Sequence, residues 1–506
     1  MRMGDSPAFV REHNVLAAKL SANFAPLLME NCAGVAAKGG LMTGWMHRKP
    51  PDLDGLPPGQ RLTPSLDWWH LVALGVGGIV GTGIFTLVGV GANLAGPAVT
   101  LAFAVAGVIC ACAALAYADV SGAIPASGSA YTYSYVVLGE VIAWIVGWSL
   151  ILEYSLVVST VAVGWSGYAT GFLASMGWTP PHQLLAGPLD GGIVNLPAIV
   201  IVGVVASALI AGTRESATVN AVLVVVKLAA LLLFLGVALP HFDWAHYQPF
   251  MPHGFAAHSE DGKRSGVMAA AAIVFFAFYG FDTISTAAEE TKNPRRNLPI
   301  GIIGSMLICT ALYIAVAAIA VGAVPVAGFA HSSEPLAAIL RQLGRGGMAA
   351  IIGAAAVIAL PTVILAFLFG QSRIFFVMAR DGLLPRWLAA VSARGAPVRI
   401  TALTALVVAA IAGLVPLDKI AALANAGTLA AFTAVAVCMI ALRPGPARLF
   451  AGWVRWVVGP ACILGCLYLF FSLPLETRGF FLAWNAAGLL YYVVWKTRRS
   501  DREPEA

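Results

Sequence analysis

Three ionisable residues stand inside long apolar runs, where each needs a physical reason to be. Lys227 lies near the middle of Val224-Val-Val-Lys-Leu-Ala-Ala-Leu-Leu-Leu, Glu153 within Ile151-Leu-Glu-Tyr, and Asp282 at the end of Phe278-Tyr-Gly-Phe-Asp. A charged amine at the centre of a bilayer costs about 2.5–3.5 kcal/mol on insertion scales, so Lys227 must be paired, near water or deprotonated. Desolvation favours its neutral form, which makes Lys227 a candidate proton carrier. Snorkelling to an interface is the plainer alternative. Glu153 is its natural partner to test, and Asp282 suits either a gate or a helix cap.

Glycine interrupts two of the apolar runs. The first reads Leu74-Gly-Val-Gly-Gly-Ile-Val-Gly-Thr-Gly-Ile-Phe and the other Phe275-Phe-Ala-Phe-Tyr-Gly-Phe-Asp. Interrupted segments at equivalent places of two halves point to a transporter binding site, whereas close helix packing is the plainer use of glycine in a membrane. A zwitterion such as an amino acid needs donors for its carboxylate and acceptors for its ammonium, and unwound helix supplies both. Gly81, Thr82 and Gly83 would present N–H groups; Ile79, Phe276 and Ala277 would present carbonyls. Phe281 is a candidate lid, with an ordinary buried aromatic as the alternative, and Thr362, beside Pro361, a candidate pocket residue.

The elements that must position these residues are membrane helices. With only 11% charged residues and a mean hydropathy of +0.84, the chain cannot hide its apolar surface from water, so its solvent is lipid. Long unbroken apolar runs exclude a closed barrel of alternating strands. The net charge of +6 sits mostly in short loops, as membrane topology requires, and argues for no nucleic-acid partner. The seven cysteines lack metal-ligand spacing and read as reduced packing residues.

At about 20 residues per crossing, spans fall near 70–92, 97–118, 130–175 as one long tilted helix, 195–212 and 217–239. Seven more follow near 267–287, 300–324, 348–378, 400–416, 419–442, 455–473 and 477–496, giving twelve. The two interrupted spans, first and sixth, correspond if spans one to five and six to ten are halves of opposite orientation. The expected organisation is a cytoplasmic arm 1–66, a first repeat 67–240, a second 266–442, two further helices over 453–496 and a cytoplasmic tail 497–506. Lys and Arg gather in segments that this topology puts inside. No secretory signal is visible before the first span, and residues 1–41 read as an over-extended start or a dispensable arm. Glu289-Glu-Thr-Lys-Asn-Pro-Arg-Arg reads as a salt-bridge latch or a solvated connection. Zinc, phosphate-loop and nucleophile motifs are not found, so neither enzyme chemistry nor a bound metal or organic cofactor is expected.

In order along the chain, Gly81-Thr-Gly-Ile-Phe, Ile124-Pro-Ala-Ser-Gly-Ser-Ala-Tyr-Thr-Tyr, Leu152-Glu-Tyr, Phe278-Tyr-Gly-Phe-Asp, Glu290-Thr-Lys-Asn-Pro and Met378-Ala-Arg-Asp-Gly-Leu-Leu-Pro form a specific set. Through them the chain resembles the amino acid–polyamine–organocation (APC) superfamily, and within it the bacterial cationic amino acid transporter family, over about Leu66 to Trp495. The resemblance implies an all-α membrane protein with a LeuT-type five-plus-five inverted repeat and two C-terminal helices. It implies a proton-coupled amino acid symporter of the bacterial inner membrane working by alternating access, with amino acid exchange on the same fold as the alternative. In the family the residue matching Lys227 stands where sodium-driven relatives bind Na⁺, and the residue matching Glu153 belongs to the same coupling region, so H⁺ is the implied coupling ion. The family's substrate contacts fall on Ile79, Thr82, Gly83, Phe276 and Ala277, with Phe281 as gate. The resemblance leaves small neutral and cationic substrates open, and an accessory membrane subunit leaves no signal in a single chain. An amino-acid-sensing receptor is a third reading, which the arm does not support with any recognisable signalling domain.

Overall fold

The computed structural model describes residues 48, 66–124, 128–211, 217–260, 263–288, 291–389, 398–442, 449–450 and 452–500. What was expected of the arm before Leu66, of Cys32 and of the tail beyond Ser500 lies outside them, apart from the single residue Arg48.

Most of the described chain is helical because its apolar runs must satisfy their own backbone groups. The first run forms α1 (Trp68–Ile79), α2 (Thr82–Phe85) and α3 (Leu87–Ala95), followed by α4 (Val99–Ala123). Next come α5 (Ser129–Val137), α6 (Glu140–Ser175), α7 (Leu196–Ile210) and α8 (Ala217–Ala238). A short antiparallel hairpin, β1 (His258–Glu260) with β2 (Lys263–Ser265), precedes α9 (Val267–Val274) and α10 (Thr283–Thr286). The remainder is α11 (Pro294–Ala323), α12 (Pro335–Gln342), α13 (Gly346–Arg380), α14 (Val398–Leu414), α15 (Leu417–Ala441), α16 (Gly452–Ser472) and α17 (Leu475–Ser500). Among the described residues, eight helical stretches are long and apolar enough to cross a membrane, and α1, α7 and α14 are shorter apolar helices.

Four boundaries correct the sequence reading. The expected single helix over 130–175 is two: α5 closes with the N–H groups of Leu138 and Gly139 both on Ser134 O, and Gly139 takes φ 105° before α6 begins. That dihedral suits glycine alone, so one Gly is sufficient to break the run. Helix α12 and the β-hairpin lie between the expected spans, where no element was assigned, and the last helix continues to Ser500, into the segment assigned to a tail.

Helix α6 is the axis of the fold. Its 36 residues span about 54 Å, longer than a roughly 30 Å hydrocarbon core. It packs against α13, α14, α15 and α17, while α11 lies along α4 and α1. Trp144 and Trp148 of α6 stack with Trp484 and Tyr491 of α17, and Trp144 Nε1 donates to Gly488 O at 2.9 Å. Aromatic bodies with a satisfied polar edge suit such a contact, where polar groups have no water to fall back on.

Helix α13 runs through Pro361, which has no N–H for the carbonyl of Val357. The indole Nε1 of Trp165 on α6 donates to that carbonyl at 2.9 Å. The proline is tolerated because a neighbouring helix replaces its missing bond.

Candidate functional site

The two glycine interruptions do unwind, and they meet. Helix α1 stops at Ile79; Val80 and Gly81 are extended, and α2 resumes at Thr82. In the sixth run α9 gives way at Phe275–Phe278 to a 3-10 turn, Tyr279 is extended, and Gly280 has φ 116°. A Cβ added to Gly83 would lie 2.2 Å from Ala277 Cα, and one added to Gly280 would lie 2.5 Å from the carbonyl carbon of Gly78. Both separations are far below van der Waals contact, so only glycine lets the two backbones cross there. Helix α6 closes the third side, with Gly164 packed against the methyl of Thr82. Ile79, Gly81, Thr82, Gly83, Phe276 and Ala277 are thus brought to one crossing, all buried.

Freed backbone groups at this crossing are partly taken by side chains that sequence reasoning missed. Tyr313 Oη donates to Ile79 O at 2.8 Å, and Tyr168 Oη to Phe85 O at 2.6 Å. Ile79 O, expected to face an ammonium, therefore already accepts one bond and keeps a second lone pair. In the sixth run Asn425 Nδ2 donates to Ala272 O at 2.7 Å and Ile273 O at 3.0 Å. The signal for Asn425 was present in the sequence, as an amide amid the alanines of α15, since an intramembrane polar residue demands a partner.

Lys227 is buried, and its Nζ donates to Gly77 O at 2.9 Å and Thr362 Oγ1 at 3.2 Å. Snorkelling does not describe it. Gly77 lies two residues before the break in the first run, so the lysine is tied to the helix end that the break creates. Thr362, expected in the pocket, belongs to the lysine's surroundings, and its hydroxyl hydrogen is directed to Ala359 O at 2.8 Å. Glu153 is not the partner of Lys227. It packs against Gly427 of α15, its electrostatic neighbours are Asp282, Tyr279, Tyr117 and Tyr154, and its Oε2 is buried without a hydrogen bond among the described residues. Lys227 on α8 and Glu153 on α6 sit on different helices that both pack against α13, but their side chains meet different residues, a relation that no one-dimensional spacing encodes.

Asp282 precedes α10 but makes no side-chain cap; its oxygens accept from Gly280 N at 3.3 Å and Tyr154 Oη at 3.4 Å. It is the turn at Gly280, rather than α10, that it braces. Phe281 is fully buried against Tyr117 and Phe432, with ring centroids 5.7 and 5.1 Å away, inside an aromatic cluster. In the run after α10, Glu289 and Glu290 lie outside the described residues, while Lys292 Nζ pairs with Asp67 Oδ2 at 3.0 Å. Lys292 N also donates to Leu66 O at 2.9 Å, so a latch joins the entry to α1 with the exit from α10.

Before α12, the carboxylate of Glu334 accepts from Arg341 and is pressed against Gly171 of α6. Burial raises the affinity of Glu334 for its proton above the ordinary carboxylate value, and Arg341 works in the opposite direction. A cavity of about 500 Å³ at the C-terminal end of α3, lined by Asn93, His246, His253 and His331 among others, contains none of the expected site residues. Among the described residues no group of three or more His, Cys, Asp or Glu side chains is placed to hold a metal ion.

A family model described as amino acid permease matches residues 66–495. The chain is 43% identical over 470 residues to the branched-chain amino acid permease BcaP of Bacillus subtilis, covering 91% of this chain and 99% of that protein. It is 40% identical over 467 residues to the methylthioribose transporter of the same organism, with 91% and 99% covered. Similarity extends to the vacuolar cationic amino acid transporter 4 of Arabidopsis thaliana, 37% identical over 397 residues, covering 76% of this chain and 64% of that one.

Proposed function

This chain belongs to the amino acid permease family of the APC superfamily, on its cationic amino acid transporter branch, and from that premise we propose that it is a proton-coupled symporter for L-amino acids. It is a multi-pass membrane protein and not an enzyme. In the proposed architecture twelve spans form two inverted repeats of five, over 67–240 and 266–442, followed by two helices. Both termini lie in the cytoplasm of a bacterial cell, and the protein works by alternating access in the inner membrane.

The observation that carries the reading is the bond from Lys227 Nζ to Gly77 O, beside the crossing of the two interrupted runs. A protonated amine holds that carbonyl more firmly than a neutral one, because hydrogen bonds from charged donors are roughly twice as strong. Proton arrival at Lys227 then stiffens the end of α1 whose next residues, Ile79 to Gly83, receive the substrate. The carboxylate is taken by N–H groups of Gly81, Thr82 and Gly83, and the ammonium by carbonyls of Ile79, Phe276 and Ala277. H⁺ is the coupling ion, and Glu153 the second titratable group of the pathway. Phe281 and Asp282 act where the sixth run must move.

On substrate class, the residues brought to the crossing offer backbone, apolar side chains and the Thr82 hydroxyl but no carboxylate, which favours a neutral amino acid over a cationic one. The name of the Bacillus branched-chain amino acid permease points the same way, whereas that of the methylthioribose transporter names an uncharged substrate that is not an amino acid. Exchange is the second reading, since a protonated Lys227 that never releases its proton would leave only counterflow.

Reconstitution in liposomes with an inside-alkaline pH gradient and no Na⁺ tests both. Labelled alanine, leucine, threonine, arginine, lysine and methylthioribose are offered in turn. Gradient-dependent accumulation of an amino acid is the expected result. Counterflow without accumulation replaces symport with exchange, accumulation of methylthioribose alone overturns the amino acid reading, and binding without uptake overturns transport.

A further inference from the structure

Asn425 lies within α15, completely buried, and its three side-chain hydrogen bonds all go to the interrupted sixth run. When α9 tightens into the 3-10 turn, the carbonyls of Ala272 and Ile273 lose the i+4 donors that a continuing α-helix would supply. The two hydrogens of Asn425 Nδ2 go to these two carbonyls, and Asn425 Oδ1 accepts from Tyr279 Oη at 2.5 Å. Only the amide nitrogen can serve two carbonyls, so the network leaves the side chain one orientation. Its contacts at 272–273 and at 279 bracket Val274 to Phe278, the stretch that contains Phe276 and Ala277 and touches Gly83.

We propose that Asn425 is a positioning residue for the substrate site, a clamp from α15 that holds the unwound sixth run in the shape that presents Phe276 and Ala277. The proposal rests on the reading of that stretch as substrate-binding. In lipid no water can replace the amide, and a buried carbonyl without a donor reopens the choice between turn and helix. Tyr279 is the other jaw of the clamp, because its hydroxyl closes the loop from the far side of the turn.

The test uses purified full-length protein in detergent with two readouts. In Asn425→Asp the donor is replaced by a carboxylate oxygen facing two carbonyls. Hydrogen–deuterium exchange should then rise in the peptide covering 274–282 while peptides of α16 keep their wild-type rates. Equilibrium binding of labelled L-leucine should weaken about tenfold or more. Measured from alkaline pH downwards, its deficit relative to the wild type at the same pH should shrink, because the introduced carboxyl, once protonated, again has one hydrogen to donate, whereas any gain from protonating Lys227 is common to both proteins. Tyr279→Phe, a milder change that keeps the ring, should shift both readouts in the same direction by less. Wild-type exchange and wild-type leucine affinity in both variants overturn the clamp. So does faster exchange spread over every helix, with a deficit that does not shrink as the pH falls, which is general loosening. If the wild type itself binds neither leucine, arginine nor methylthioribose, the transport reading falls, and the exchange rates at 274–282 still decide the clamp.

Discussion

Gly83 and Ala277 are in direct backbone contact across the two interrupted runs, with 2.2 Å between the position of a Gly83 Cβ and Ala277 Cα. The neighbouring atom is main chain, so it cannot swing away as a flexible side chain would. Gly83→Ala should therefore push the runs apart at an overpacking cost of about 1–3 kcal/mol, and weaken substrate binding more than it lowers thermal stability. Equilibrium binding beside a melting curve checks this, and unchanged affinity in a folded variant removes Gly83 from the site.

Lys227→Met should abolish gradient-driven accumulation, since no titratable amine remains at Gly77 O. Unchanged accumulation in a well-expressed variant refutes the coupling role.

Glu153 and Lys227 share no hydrogen-bond partner among the described contacts, which makes a further expectation quantitative. The stability effects of Glu153→Gln and Lys227→Met should add to within about 0.5 kcal/mol in the double variant, as for independent sites. A coupling energy well above that would restore them as a pair.

Trp165→Phe deletes the indole donor to Val357 O, a bond that Pro361 cannot supply. The expected loss is about 1–3 kcal/mol of stability, the penalty of one buried unsatisfied carbonyl. Pro361→Ala returns a backbone N–H four residues on, so the same tryptophan change should be much milder in that background. Equal losses in both backgrounds would mean that the indole bond does not compensate for the proline.

Glu334 yields a pH dependence with a definite sign. Burial gives it a higher pKa in the folded protein than its ordinary 4.5, so the folded state binds this proton more tightly than the unfolded one. Its contribution to stability is then greatest below about pH 4.5 and declines as pH rises through the elevated folded value. Glu334→Gln should flatten that part of a melting-temperature profile; a profile that rises with pH in the same window for the wild type alone would reverse the assignment.

Fold class was legible from one dimension because lipid imposes it: a run such as Val224 to Leu233 has to be helical wherever it sits. The interruptions at Gly83 and Gly280 were legible for a related reason, since glycine is what allows the close backbone approach at the first and the φ of 116° at the second. Lys227, Glu153 and Asp282 declared themselves as exceptions to an apolar environment. What the sequence could not contain was the choice of partners. Lys227 found a backbone carbonyl rather than Glu153, and Tyr313, Tyr168 and Asn425 found carbonyls that exist as open acceptors only because the helices break. The same holds for Trp165 at Pro361. Local sequence determines which backbone groups are released; only the packing of helices distant in the chain decides which side chain arrives within hydrogen-bonding reach of each one.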